Sequence, residues 1–132
     1  MKMKTSHLIF FLLIFPATAS AITEAEAVRA IVGEAAGEPY LGKVALAEAL
    51  RNRGTLRGVY GAKRSEFIKK QTKKVHEDAL KAWRESARTT YTKGAKHWES
   101  TDFKMPYWAK KMEPSFHVGK HVFYVENNKG NR

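Results

Sequence analysis

Gly37-Glu38-Pro39 breaks the chain between two stretches whose apolar residues are spaced for helices, and no other feature limits the fold as much. Upstream, Thr23-Glu24-Ala25-Glu26 has the form of a capping box, with Thr23 as N-cap and Glu26 reaching back to it. Val28, Ile31, Val32 and Ala35 then recur as one apolar stripe. Glycine suits the left-handed residue that closes a helix, and proline cannot continue one, so the first helix stops here. Pro39 is well placed in the first turn of a second helix. Leu41, Val44, Ala45 and Leu50 form the apolar side of that helix, and Gly54 ends it.

Beyond this pair the pattern loosens. Residues 51–74 hold nine cations (Arg51, Arg53, Arg57, Lys63, Arg64, Lys69, Lys70, Lys73 and Lys74) against the single acid Glu66. Gly54, Gly58 and Gly61 make the first part of this stretch loop-like, while Phe67 and Ile68 suggest a short helical turn. A third helix is predicted from about Val75 to Ala87, with Ala79, Leu80, Trp83 and Ala87 on one face. Thr89–Thr92 and the segment around His97-Trp98 favour extended chain or loop. Phe116–Val118 and His121–Val125 flank Gly119-Lys120, a two-residue hairpin turn with glycine first. The tail from Asn127 is polar. The expected class is α+β, mainly helical with a small antiparallel hairpin, in one domain over residues 22–132.

Composition removes several functions. The 132 residues suffice for one compact domain, and 43% apolar content is too high for a disordered polycation. Zero cysteines exclude a disulfide scaffold, thiolate metal sites and a cysteine nucleophile. Neither a glycine-rich phosphate loop nor an H-E-x-x-H motif is present. No cofactor is called for, and His117 and His121 lack the further ligands a metal site needs. The formal net charge of +11 points to anionic partners.

The first twenty-one residues narrow that choice. Lys2 and Lys4 precede an apolar run from Leu8 to Phe15, Pro16 breaks it, and Ala19-Ser20-Ala21 provides small residues for cleavage. The run is much shorter than the roughly 20 residues a bilayer-spanning helix requires. Residues 1–21 therefore read as a secretory signal peptide, and the chain is expected in the periplasm, cell wall or extracellular space. An exported basic protein meets peptidoglycan, anionic wall polymer or lipid headgroups before nucleic acid.

Glu34 is the leading candidate for chemistry. It lies in the last turn of the first helix with Ala30 and Ile31 as its i−4 and i−3 neighbours, so its carboxyl is expected over an apolar surface. Desolvation and the negative end of the helix dipole both disfavour its ionised form, the direction a general acid needs. A solvated surface glutamate is the other reading of the same position. Glu38, four residues on, reads either as a second carboxylate of an acid/base pair or as an organiser of the turn before Pro39. His121 and Tyr124 on the hairpin, and Trp98, Tyr107 and Trp108 in loop-like sequence, are candidates for lining a sugar groove. Packing within the sheet or core is the competing reading for each, and Trp83 is read as core.

Gly33-Glu34-Ala35-Ala36-Gly37-Glu38-Pro39-Tyr40, followed by Gly42–Glu48 and Asn52-Arg53, resembles the SleB-type cell wall hydrolases, the spore cortex-lytic enzyme group. That family reads G-E-A-x-G-E-P-Y, then a glycine-led helix ending in N-R. Gly94-Ala95 with Trp98 is similar to its G-A-x-x-[YF] element, Pro106-x-Trp108 to its P-x-W, and Gly119-x-His121-x-Phe123-Tyr124 to its closing G-x-H-x-F-Y. The resemblance spans residues 27 to 124. It implies a lysozyme-like domain cutting the glycan strands of peptidoglycan, as a lytic transglycosylase or a muramidase, with Glu34 as the single catalytic acid/base. Glu38, Tyr40, Trp98, Trp108, His121 and Tyr124 are then the expected substrate-binding residues. Two departures stand out: Ala36 occupies a position where the family commonly has arginine, and the text after Arg53 is far more basic. No separate wall-binding domain is expected in these residues, so specificity for spore cortex does not follow.

The basic run 51–74 is either a solvated face or an adhesive for anionic wall polymer or outer-membrane lipid. A different class of function also fits the charge, a non-catalytic cationic binder of wall, membrane or nucleic acid. That reading leaves the signal peptide and the Gly33–Tyr40 motif as accidents. The enzyme reading, acting as a monomer with no nucleic-acid partner, absorbs both.

Overall fold

The computed structural model describes residues 22–127. The expected signal peptide at 1–21 and the end of the tail at 128–132 lie outside the described residues.

Helix α1 runs Glu24–Ala35. Its capping box forms in both directions: Thr23 Oγ1 accepts from the Glu26 N–H at 3.1 Å, and Glu26 Oε1 accepts from the Thr23 N–H at 3.2 Å. Helix α2 runs Tyr40–Arg53. Pro39 is its N-cap rather than part of its first turn, because at ψ 159° its backbone is still extended. The sharp break expected between the two helices is present.

Helix α2 departs from the one-sided stripe read from its sequence. Every residue from Gly42 to Leu50 is buried, while Leu41 is 37% exposed. Enclosure on all sides explains why its pattern is weakly periodic: α1 and the strand His97–Ser100 contact it, as does α4 (Lys73–Glu85). Two charged side chains go into the interior with it, and both are tied down. Lys43 Nζ donates to the carbonyls of Glu38 at 2.6 Å and Ala36 at 3.3 Å. Helix α1 has no basic residue in its last turn, so Lys43 supplies the cation its negative end favours. Glu48 collects Thr89 Oγ1, the Tyr91 N–H and both donors of Thr92 at 2.6–3.0 Å, pinning the loop that leads to the sheet.

After Gly54 the chain makes a 3-10 turn, Tyr60–Lys63, then the short helix α3, Ser65–Lys70. The third long helix, α4, starts and ends two residues earlier than its apolar spacing predicts. Thr72 is its N-cap, accepting from the Val75 N–H at 3.3 Å, and a 3-10 turn at Ser86–Arg88 closes it. Ala79, Ala82 and Trp83 are its buried residues; Leu80 is half-buried and Ala87 is exposed. The basic run does not form one face. Arg51 bonds to Trp83 O and Ser86 Oγ and lies 3.8 Å over the Trp83 ring, while Lys73 and Lys74 pair with Glu77 and Asp78 one turn on.

Three antiparallel strands follow, β1 (His97–Ser100), β2 (Met112–Val118) and β3 (His121–Glu126), in the order β1-β3-β2. The expected hairpin is β2–β3, with β2 beginning four residues earlier than predicted and kinked by an irregularity between Pro114 and Phe116. The segment around His97-Trp98 becomes a strand because β3 offers its other edge, with Trp98 opposite Phe123. Phe123 is fully buried with Ile31, Leu46 and Leu50, so sheet and helices share one core.

Candidate active site

A groove of about 840 Å³ runs between two walls. The end of α1, the break after it and the 3-10 turn form one wall; β1, the loop after it and the hairpin turn form the other. Glu34 lines the groove from the last turn of α1.

Its setting depends on two glycines. A Cβ on Gly33 would fall 1.9 Å from Gly61 O, and one on Gly61 would fall 2.7 Å from Glu34 Cδ. The missing side chain at Gly33 lets α1 and the 3-10 turn touch backbone to backbone, and the one missing at Gly61 lets the Glu34 carboxyl lie against that turn. The Gly61 N–H then donates to Glu34 Oε1 at 2.7 Å. The indole N–H of Trp98 reaches Glu34 Oε2 at a longer 3.5 Å. The bed expected beneath the carboxyl was apolar; the structure puts a backbone donor there instead, because the turn closes on Gly33 more tightly than helical spacing alone reveals. Arg53 lies 5.2 Å over the Trp98 ring and donates to the carbonyls of Lys96 and Arg57, so it braces the wall behind Glu34.

Glu38 has a different job. Its side chain is 9% exposed, and its Oε1 accepts from the Lys120 N–H at 2.8 Å. Gly119, at φ +57°, sits against the carboxylate so closely that a Cβ would lie 2.6 Å from Oε2. His121 Nδ1 is 3.3 Å from Oε1, near enough for attraction but without hydrogen-bond alignment. Burial holds the imidazole below its ordinary pKa of 6.5, with Glu38, Glu34 and Glu99 pulling the other way. Glu38 therefore fastens the hairpin turn to the end of α1. Of the two sequence readings it matches the organiser, although the element it organises is the hairpin as well as the turn.

The remaining candidates divide. Trp98, Trp108 and His121 line the groove with Glu34 and Glu38. Tyr40 does not reach it: at the start of α2 it turns towards α4, 5.3 Å from Lys81 Nζ, and burial beside Glu85 pushes its hydroxyl up to about 12. Tyr124 is also absent from the lining, being buried edge-on to Trp108 at 5.4 Å, where it supports that ring from behind. Tyr107 is 72% exposed but lies outside the groove. Sequence reasoning missed Gly61, Tyr60, Glu99, Asp102 and Phe103, all of which line it. For Gly61 the only local signal was a glycine in a loop; its value comes from Gly33, twenty-eight residues away.

No protein-family profile matches the chain, and no curated protein sequence matches it. Solved structures do. The catalytic domain of the Bacillus cereus SleB protein superposes with a TM-score of 0.57 at 24% identity, covering 79% of this chain and 92% of that one. The catalytic domain of the germination-specific lytic transglycosylase SleB from Bacillus anthracis gives 0.59 at 23% identity, covering 83% and 98%. The fold is that of the SleB catalytic domain. It is the α+β, lysozyme-like architecture expected from the sequence, mainly helical with a small antiparallel sheet.

Proposed function

We propose that this chain cleaves the glycan strands of peptidoglycan, with Glu34 as the catalytic acid/base and a lytic transglycosylase reaction. One observation carries the reading: a carboxyl lining an 840 Å³ groove has one oxygen held by a short hydrogen bond and the other only by a long one. Both oxygens accept an N–H, but the Gly61 bond to Oε1 is short at 2.7 Å and the Trp98 bond to Oε2 long at 3.5 Å, so Oε2 is the oxygen freer to carry the proton. Protonation of the bridging oxygen lets the C1–O bond break with its electron pair on the departing sugar. The C6 hydroxyl of the same muramyl ring then attacks C1, and its proton returns to Glu34. A strand end with a free hydroxyl and an anhydro end result.

A substrate-supplied nucleophile needs no second carboxylate, and the nearest one in sequence is unsuited to the task. Glu38 is committed to the hairpin turn, whereas a two-carboxylate glycosidase needs its partner free to reach sugar or water. The named activity of the Bacillus anthracis domain supports the same choice. Export through residues 1–21 would bring the enzyme to its polymer, and exposed cations such as Lys63, Lys69 and Lys70 would hold it on the anionic wall.

Digestion of purified sacculi with mass spectrometry of the released fragments tests the proposal. Anhydro ends, lighter than hydrated ends by one water, are expected. Hydrated ends would make the enzyme a hydrolase. Clumped sacculi with no sugar released would make the chain a binder. Adhesion is tested separately, since retention on sacculi should weaken as salt rises above about 0.1 M.

A further inference from the structure

The tryptophans that sequence suggests for sugar stacking are already engaged. Trp98 has the Arg53 guanidinium 5.2 Å over its ring, Phe123 at 6.5 Å, and its N–H turned to Glu34. Trp108 is held between His97 at 5.5 Å and Tyr124 at 5.4 Å, and is only 36% exposed. Two other aromatic side chains line the same groove and stand in water: Tyr60 is 75% exposed and Phe103 is 70% exposed. Among the described residues neither has a ring-on-ring contact, and Tyr60 has only the Lys63 ammonium at 6.0 Å.

Their places in the fold set them on opposite walls. Tyr60 opens the 3-10 turn whose next residue, Gly61, holds Glu34. Phe103 follows β1 in a loop tied to the hairpin turn, where the Thr101 N–H donates to Lys120 O at 2.7 Å and Asp102 pairs with Lys120 at 3.3 Å. Each ring thus sits on an anchored backbone while most of its surface stays in water. An isolated exposed ring is unremarkable on a protein surface. Two of them in the one groove that Glu34 also lines form an apolar surface that a ligand can cover.

We infer that Tyr60 and Phe103 are the two sugar-stacking residues of this groove, gripping pyranose rings from opposite walls, while Trp98 and Trp108 build the wall behind them. This rests on the glycan-cleaving reading above. The carbon–hydrogen faces of a pyranose suit an aromatic face, and the hydroxyls around its edge suit the polar groove between. An aromatic pair flanking the acid would hold two successive sugars with their linking oxygen near Glu34 Oε2.

Binding to purified sacculi is measured by co-sedimentation in a Glu34→Gln background, where the strand is not consumed. Tyr60→Ala and Phe103→Ala should each weaken retention about five- to tenfold, and Tyr60→Trp and Phe103→Tyr should restore it. Melting temperatures matching the parent would show that lost binding is not lost fold. Unchanged retention in the doubly substituted Tyr60→Ala/Phe103→Ala protein overturns the inference. So would retention that is lost on phosphatidylglycerol vesicles but kept on sacculi, which would assign the pair to a lipid surface. If the parent Glu34→Gln protein itself fails to bind sacculi, the glycan reading falls, and this inference falls with it.

Discussion

Two carboxylates reach inward from neighbouring helices, and their surroundings differ in kind. Glu48, in the middle of α2, is 3% exposed and takes four hydrogen bonds from Thr89, Tyr91 and Thr92 across both oxygens. Glu34, at the end of α1, takes one short bond on Oε1 and a long one on Oε2, with a groove beside it. A carboxylate whose lone pairs are used up serves the fold, because removing it strands its donors. One left half-satisfied over open space can exchange a proton with a ligand. Sequence position does not separate the two, since both lie on helices among small apolar residues.

Substitution should separate them sharply. Glu48→Ala is expected to cost about 3–5 kcal/mol by taking the acceptor from four donors, two of them the buried pair on Thr92, read as a loss of denaturation midpoint. Glu34→Gln, which keeps an acceptor for Gly61, should stay within about 0.5 kcal/mol of the parent in the same experiment. Equal losses would erase the distinction.

Gly61→Ala sharpens the Glu34 side of the comparison. The new Cβ would meet the glutamate carboxyl at 2.7 Å, so the side chain must leave its anchor. Displacement of that order commonly costs on the order of 10²-fold in rate. The expected result is a fall in kcat in sacculus digestion with the fold retained. A Gly61→Ala enzyme of parental rate would show that the 2.7 Å bond does not position the acid.

A smaller effect concerns pH. Burial holds the folded His121 below its ordinary pKa of 6.5, whereas the unfolded chain takes up a proton near that value. As pH falls through 6.5 the unfolded state binds a proton that the folded state refuses, so stability should decline on acidification. The loss is complete once pH has dropped below the folded value, and the attraction of Glu38 limits its size. Melting curves of the parent should shift down between about pH 7 and pH 5, and His121→Asn should flatten that slope. A parent whose melting point rises in acid would reverse the sign of this account.

Much of the helical half was legible because its signals are local. Thr23 and Glu26 sit three residues apart, and Pro39 marks the break by its own backbone chemistry. Gly37 does not supply the left-handed cap expected of it, since the helix closes on Ala36 in the right-handed region and Gly37 is not among the residues with positive φ. Glu34 and Glu38 stood out by motif, and the structure brings both to one groove with Trp98, Trp108 and His121. The misreadings arise where distant chain decides the outcome. Tyr40 shares the motif, yet α4 supplies it with Lys81 and Glu85 and draws it off the groove. Tyr124 looks available on a hairpin strand, but β3 is the central strand and Trp108 covers it. Gly61 and Phe103 carry no pattern of their own; each matters through a partner segment more than fifteen residues away in the chain. Two members of the basic run leave it for the same reason, since Arg51 and Arg53 are spent on carbonyls far along the chain.

The central claim is that the Glu34 carboxyl delivers the proton that breaks the wall glycan. The initial rate of fragment release from purified sacculi, parent against Glu34→Gln at equal folded concentration, tests it most directly. A fall of roughly 10²–10⁴-fold is the predicted result, the usual share of a general acid. A substituted enzyme that still releases fragments at the parental rate would contradict it.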